Sequence, residues 1–288
     1  MLYYVDLTVS GLIYGCMYAM MALGLTLVYG LLRVLHIAHA TVFALGAFIG
    51  VVVANWTDSL VIAFLASITV ACLLGVAIYR LVYQSMLDEP RYVPMIASMG
   101  ILILMEDGLR ILFGEQGLTF NNNPYYIQTY EFFGVTVNMV QIAIVVTSVV
   151  LLTGFTLFTS RTRIGVGWRA TVSVPKIATS FGVDAIKVRY LNFFIGSALA
   201  AVAGVLIALL NNFVEPTMGF VISYKGLAII VLGGLGSVRG TLIASIMLGV
   251  VESFGTIFIG NFLDRDAIAF LFLIIVLMVR PQGFTGAR

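Results

Sequence analysis

Residues 7–32 contain no charged side chain, and runs of the same kind recur along the whole chain. A helix needs about 20 consecutive apolar residues to cross a hydrocarbon core about 30 Å thick. A water-facing domain could not cover so many such runs, because it needs roughly a quarter of its residues charged and this chain has 10%. With 61% hydrophobic residues and a mean hydropathy of +1.10, the chain reads as a membrane protein. A β-barrel would alternate apolar and polar residues over segments of about 10, and no segment does. The fold class is therefore an all-α integral membrane protein, a polytopic bundle forming one domain over residues 1–288.

The apolar blocks place candidate spans at residues 7–32, 34–55, 60–82, 92–113, 135–159, 190–210, 221–235, 241–260 and 267–279. The seventh and ninth are short, so eight or nine transmembrane helices are expected. The first run reads as a span and not as a cleaved signal peptide, because no positive charge precedes it. Six of the 15 basic residues lie between positions 161 and 189. Excess Lys and Arg mark cytoplasmic loops, so this segment is expected to face the cytoplasm. Counting spans outward brings Arg33, Arg80, Arg91, Arg239 and Arg280 to the same side. The N-terminus then lies outside and the C-terminus inside.

The net charge of +2 gives no footprint for nucleic acid. Cys16 and Cys72 lie in apolar blocks and read as small buried residues, with no disulfide or metal framework. Helix association in lipid depends on close approach through small residues. Gly11/Gly15, Gly46/Gly50, Gly236/Gly240 and the small-residue stretch 197–204 supply such faces.

In the basic segment, Pro175 suits the first turn of a helix, with Ser173 before it as a cap. Ile177, Ala178 and Phe181 then share a face, and Gly182 ends the helix. Two readings stand: a basic loop that only sets topology, or a short amphipathic helix that docks a cytoplasmic protein. Gly233, Gly234, Gly236 and Gly240 interrupt two apolar blocks, either as a tight turn or as a break serving a pathway. A phosphate loop is excluded, since no Lys-Ser/Thr follows the glycines.

Ionisable residues inside spans are costly and face the bundle interior. Glu106 and Arg110 have the i, i+4 spacing of an ion pair, with Asp107 on another side. His36 and His39 read as histidines packed between helices, with no third ligand for a metal. Glu252 has no cation on its own helix and is a candidate for a buried interhelical bond, structural or pathway-lining. No nucleophile elbow, zinc motif or ATP-binding motif is present.

Several segments resemble, in order, the permease subunits of ABC importers for branched-chain amino acids. Residues 11–30 resemble that family's first span, and Leu35-His-Ile-Ala-His-Ala40 its following break, with Ala40 where the family usually has Gly. Arg163-x-Gly-x-x-x-Arg-Ala170, continuing through Ala178 to Gly182, is similar to its cytoplasmic coupling segment. Ser173 and Val174 stand where many members carry an acidic or amide pair. Residues 194–204, residues 231–240 followed by Glu252, and Arg280-Pro-Gln-Gly283 complete the resemblance.

The resemblance implies a translocation subunit that is not itself an enzyme, in the bacterial inner membrane. The partners it implies are two ABC ATPase subunits, a second permease (paralogue or copy) and an extracytoplasmic solute-binding protein. ATP and Mg would bind the ATPases, and this chain would hold no cofactor or metal. Coupling would fall to Arg163, Gly165, Arg169, Pro175, Lys176, Ile177, Ala178, Phe181 and Gly182 within residues 160–189. The competing expectation, carried by the intramembrane ionisable residues, is a secondary transporter or channel driven by a gradient.

Overall fold

Since lipid gives helices no hydrophobic reason to associate, backbone proximity decides which of them meet. The computed structural model describes residues 2–121, 128–132, 135–260, 262–280 and 282–284. The elements begin with α1 (Leu2–Leu32), α2 (His39–Thr57), α3 (Leu60–Leu81), a 3-10 turn (Tyr83–Met86) and α4 (Tyr92–Phe113). A hairpin of β1 (Thr129–Phe132) and β2 (Val135–Asn138) leads into α5 (Met139–Arg161), α6 (Arg163–Ser173) and α7 (Pro175–Ser180). The chain continues through α8 (Ala185–Asn211), α9 (Met218–Gly233), α10 (Val238–Phe258) and α11 (Arg265–Val279).

This is an all-α polytopic membrane bundle, and among the described residues nine helices overlap the candidate spans. Six of them are long and apolar enough to cross a membrane: α1, α2, α3 with its 3-10 turn, α5, α8 and α10. Helix α9 is shorter and apolar. Helices α1 and α8 form the centre, each 83% buried over its most apolar window, whereas α5 is 17% buried and lies at the rim.

Glycine sets these contacts. Helix α1 runs antiparallel to α10, and a Cβ on Gly11 would lie 2.7 Å from Val250 Cα, one on Gly15 2.8 Å from Ile246 Cα. Gly249 faces the backbone of Gly11 and Gly15 from the other side. Gly46 and Gly50 receive Ala201 and Val205 of α8, and Gly204 of α8 rests on the backbone of Phe43. Gly236 and Gly240 do not form a third seam. Gly236 takes φ +83° in the turn between α9 and α10, where Gly233 meets the backbone of Gly240. Ser237 caps α10 by accepting from Gly240 N–H.

Two boundaries differ from expectation. The span expected from residue 135 begins at Met139, because Asn138 and Gln141 close a reciprocal capping box that fixes the helix start there. Val135–Asn138 instead pairs with Thr129–Phe132, in register Thr129↔Asn138. The span expected from residue 34 begins at His39. Residues 33–38 are irregular backbone, covered by α4 where Ser98 Oγ accepts from Ala38 N–H at 2.9 Å. Exposed backbone of this kind would not survive in lipid, but covered backbone does. Residues 122–126 of the external loop and Pro281 lie outside the described residues.

The chain end is held by local geometry. Gly283 has φ +75°, and a Cβ there would lie 2.6 Å from Val231 O. Phe284 N–H donates to Leu232 O at 2.7 Å, so the end of α9 gains a partner for a terminal carbonyl. We predict that Gly283→Val releases this segment with little change in overall folding. Limited chymotrypsin digestion should then cut after Phe284 faster than in the parent, and an unchanged rate would refute the docking.

Candidate functional site

The bundle has two ends. One collects Arg33, Arg80, Arg91, Arg239, Arg280 and the α6–α7 segment; the other carries the β hairpin and the 211–217 connection.

Toward the hairpin end, four helices bring charges together in the interior. Glu252 of α10 is fully buried and Lys225 of α9 is 6% exposed. Tyr18 of α1 donates its hydroxyl to Glu252 Oε2 at 2.7 Å, and Arg265 Nε of α11 donates to the same oxygen at 2.8 Å. Lys225 Nζ donates to Tyr18 Oη at 3.1 Å and lies 2.8 Å from Asp266 Oδ1. It also stands 3.1 Å from Glu252 Oε1, an ionic contact outside hydrogen-bond geometry. The Arg265 guanidinium stacks on the Tyr14 ring, 3.6 Å from its centroid. Two cations therefore face two carboxylates, and the cluster is neutral. That balance is what allows so much charge at this depth.

A cavity of about 260 Å³ lies against this cluster. Tyr18, Lys225 and Arg265 form its polar wall, while Met17, Ile207, Met218 and Ile222 give it apolar sides. Asn211 and Glu215, both exposed, stand at its rim.

At the basic end the segment expected to form one helix forms two. Thr162 caps α6 by accepting from Gly165 N–H at 2.9 Å, and Gly165 sits directly on the backbone of Phe158 and Thr159. Trp168 anchors α6, donating from Nε1 to Asn192 Oδ1 of α8 at 3.0 Å and meeting Phe155 edge to face. Ser173 is not the cap of the second helix. It ends α6, and Val174 precedes α7 without a side-chain bond, because the chain continues helical through Ser173. Pro175 stands in the first turn of α7. Gly182 takes φ +83° beyond Phe181.

Ala178 is buried, whereas Ile177 and Phe181 are 56% and 85% exposed. All three line an open apolar groove of about 520 Å³ between α6 and α7, with Val166 and Val174. Arg169 and Lys176 are exposed, and Arg163 lies at the groove's edge. Asp184 caps α8 through Ile186 N–H at 3.0 Å and Lys187 N–H at 3.1 Å. The Lys187 N–H holds its carboxyl below the ordinary carboxylate range.

The comparisons decide what these parts belong to. The family model for the permease component of the branched-chain amino acid transport system matches residues 7–279. The chain belongs to that family. It is 32% identical to the high-affinity branched-chain amino acid transport permease BraD of Pseudomonas aeruginosa, over 99% of this chain and 96% of that one. The LivH permease of Escherichia coli is 28% identical over the same shares. LivM of Salmonella typhimurium is 26% identical over 92% of this chain and 67% of its own. Among solved structures, PsaBC from Streptococcus pneumoniae in complex with Fab shares the fold, with a TM-score of 0.52 at 15% identity over 97% of this chain and 91% of that one. The relatives are transport permeases, not enzymes.

In this permease the remaining sequence-selected residues fall into separate places. His36 lies in the irregular connection and shares a 2.7 Å hydrogen bond between Nδ1 and Tyr83 Oη. His39 opens α2, and its ring fills the space left by Gly24 of α1. Glu106 pairs with Arg110 at 2.8 Å, and Asp107, 57% exposed, reaches the same guanidinium at 3.4 Å. Gly233, Gly234, Gly236 and Gly240 form the α9–α10 turn.

The sequence reading named Glu252 but not its partners. Lys225 carries a signal of its own, since an ammonium inside an apolar helix is costly unless it is paired. Tyr18, Arg265 and Asp266 carried no comparable mark.

Proposed function

We propose that this permease is one membrane-spanning half of an ATP-driven importer for branched-chain amino acids in the bacterial cytoplasmic membrane. The observation that carries the reading is the family match over residues 7–279. The second half is a paralogue, as the similarity to LivM alongside LivH and BraD suggests. Two ATPase subunits supply ATP chemistry with Mg, and an extracytoplasmic binding protein delivers solute at the hairpin end. The basic end faces the cytoplasm, leaving the N-terminus outside and the C-terminus inside. Support comes from the gathering of basic residues at one end.

The mechanism follows from the anchoring of α6 and α7. An ATPase side chain seated among Ile177, Ala178 and Phe181 pulls on α7. The pull passes through α6 and its Trp168–Asn192 bond to α8, which lies at the bundle centre. A rigid central helix moves as a body, so closure of the ATPases rocks the bundle between two openings.

Ile177→Asp and Phe181→Asp place a charge on exposed positions, so folding should survive. We expect ATP hydrolysis by the assembled complex to continue while uptake of leucine falls about tenfold or more, in line with loss of a docking hot spot. Normal uptake would reject the coupling role. Liposomes holding the permease pair alone test the gradient-driven alternative, which requires uptake without any ATPase.

A further inference from the structure

The cavity beside Tyr18, Lys225 and Arg265 has a chemistry that coupling does not explain. A bundle that needed only stability could bury apolar side chains at Lys225, Glu252, Arg265 and Asp266, commonly without loss. Here the ion cluster instead forms one wall of a cavity that exposed Glu215 also lines. Lys225 and Arg265 are already balanced by Glu252 and Asp266. A ligand with net charge would upset that balance where the dielectric is low, whereas a zwitterion adds dipole without net charge. Arg265 is 30% exposed and lines the cavity, and its bond to Glu252 uses Nε and not the terminal nitrogens. Glu215 at the rim is the acidic counterpart for an ammonium. Met17, Ile207, Met218 and Ile222 then surround an apolar side chain.

We propose that this cavity is a transport subsite for one zwitterionic amino acid with an apolar side chain. The carboxylate is held by Arg265 and Lys225, the ammonium is directed to Glu215, and the side chain lies against the methionine and isoleucine wall. The volume of about 260 Å³ falls just below the usual range for ligand cavities, about 300–1,000 Å³, which suits one small solute and excludes a peptide. The inference rests on the transport function proposed above and adds the place and manner of recognition within the membrane chain.

The test uses the complete importer in liposomes, with its ATPases, partner permease and binding protein, and radiolabelled leucine. Ile222→Trp fills the cavity, and Glu215→Gln removes the charge at the rim from an exposed position where folding is not at stake. Each variant should lower uptake about tenfold or more, the scale for losing a charged contact, while leucine affinity of the binding protein stays unchanged. In the detergent-solubilised complex without binding protein, 4-methylpentanoate and 3-methylbutylamine, which each lack one charge, should displace leucine at least about tenfold less well than leucine itself. Wild-type uptake by both variants overturns the subsite and leaves the transport function standing. If Ile222→Trp does not assemble, Glu215→Gln decides, and unchanged uptake overturns the proposal. No leucine uptake by the unmodified complex overturns the transport function instead, and the subsite with it.

Discussion

Glu252→Leu should lower the stability of the permease in detergent by about 3–5 kcal/mol, the cost of removing one partner from a buried ion pair. The side chain lost is fully buried and accepts from both Tyr18 and Arg265. Without it, Lys225 and Arg265 share only Asp266, and an uncompensated cation remains in the interior. The loss therefore comes less from the missing bonds than from the charge left behind. That distinction can be measured. Lys225→Met combined with Glu252→Leu restores neutrality, so the pair should recover part of the stability lost by Glu252→Leu alone. Midpoints of thermal unfolding followed by size-exclusion chromatography would show it. A Glu252→Leu midpoint equal to the parent, or a double variant no more stable than Glu252→Leu alone, would refute this account.

The second large effect is steric. Gly249 of α10 packs against the backbone of Gly11 and Gly15, so Gly249→Leu meets atoms that no rotamer change can move. Overpacking costs about 1–3 kcal/mol where side chains can yield, and this contact lies at or beyond the upper end. We expect the variant to accumulate poorly in membranes and to lose its compact elution peak. The control is Gly154→Leu on α5, where an added Cβ meets nothing within 4 Å. It should behave as the parent does, since α5 lies at the bundle rim. Equal behaviour of the two variants would separate stability from the α1–α10 seam.

The basic end was more legible in the sequence than the hairpin end. Charge asymmetry is a sum over neighbouring residues, and the helix signals at Pro175 and Gly182 are local too. They located α7, the displayed Ile177 and Phe181, and the stop after them. They did not reveal that residues 163–173 form a second helix, because its identity depends on Trp168 finding Asn192 in α8. Equally, the Asn138–Gln141 capping box was present in the sequence and marks the start of α5, yet continuous β-branched hydrophobicity through Val135 masked it.

At the hairpin end the charge cluster joins positions 18, 225, 252 and 265, and its longest hydrogen-bonded link spans 234 positions along the chain. Hydropathy and spacing act over a turn or two of helix, so they located the apolar helices and the small faces by which helices approach. The sequence by itself also determined which end of the bundle is basic, since that depends only on where charges fall between apolar runs. Only the tertiary structure decided that Lys225, Arg265 and Asp266 gather around Glu252 and that a cavity opens beside them. The physical reason is that a buried ion pair is stabilised by proximity in space, and the order of residues along a helix does not say which neighbouring helix it will face.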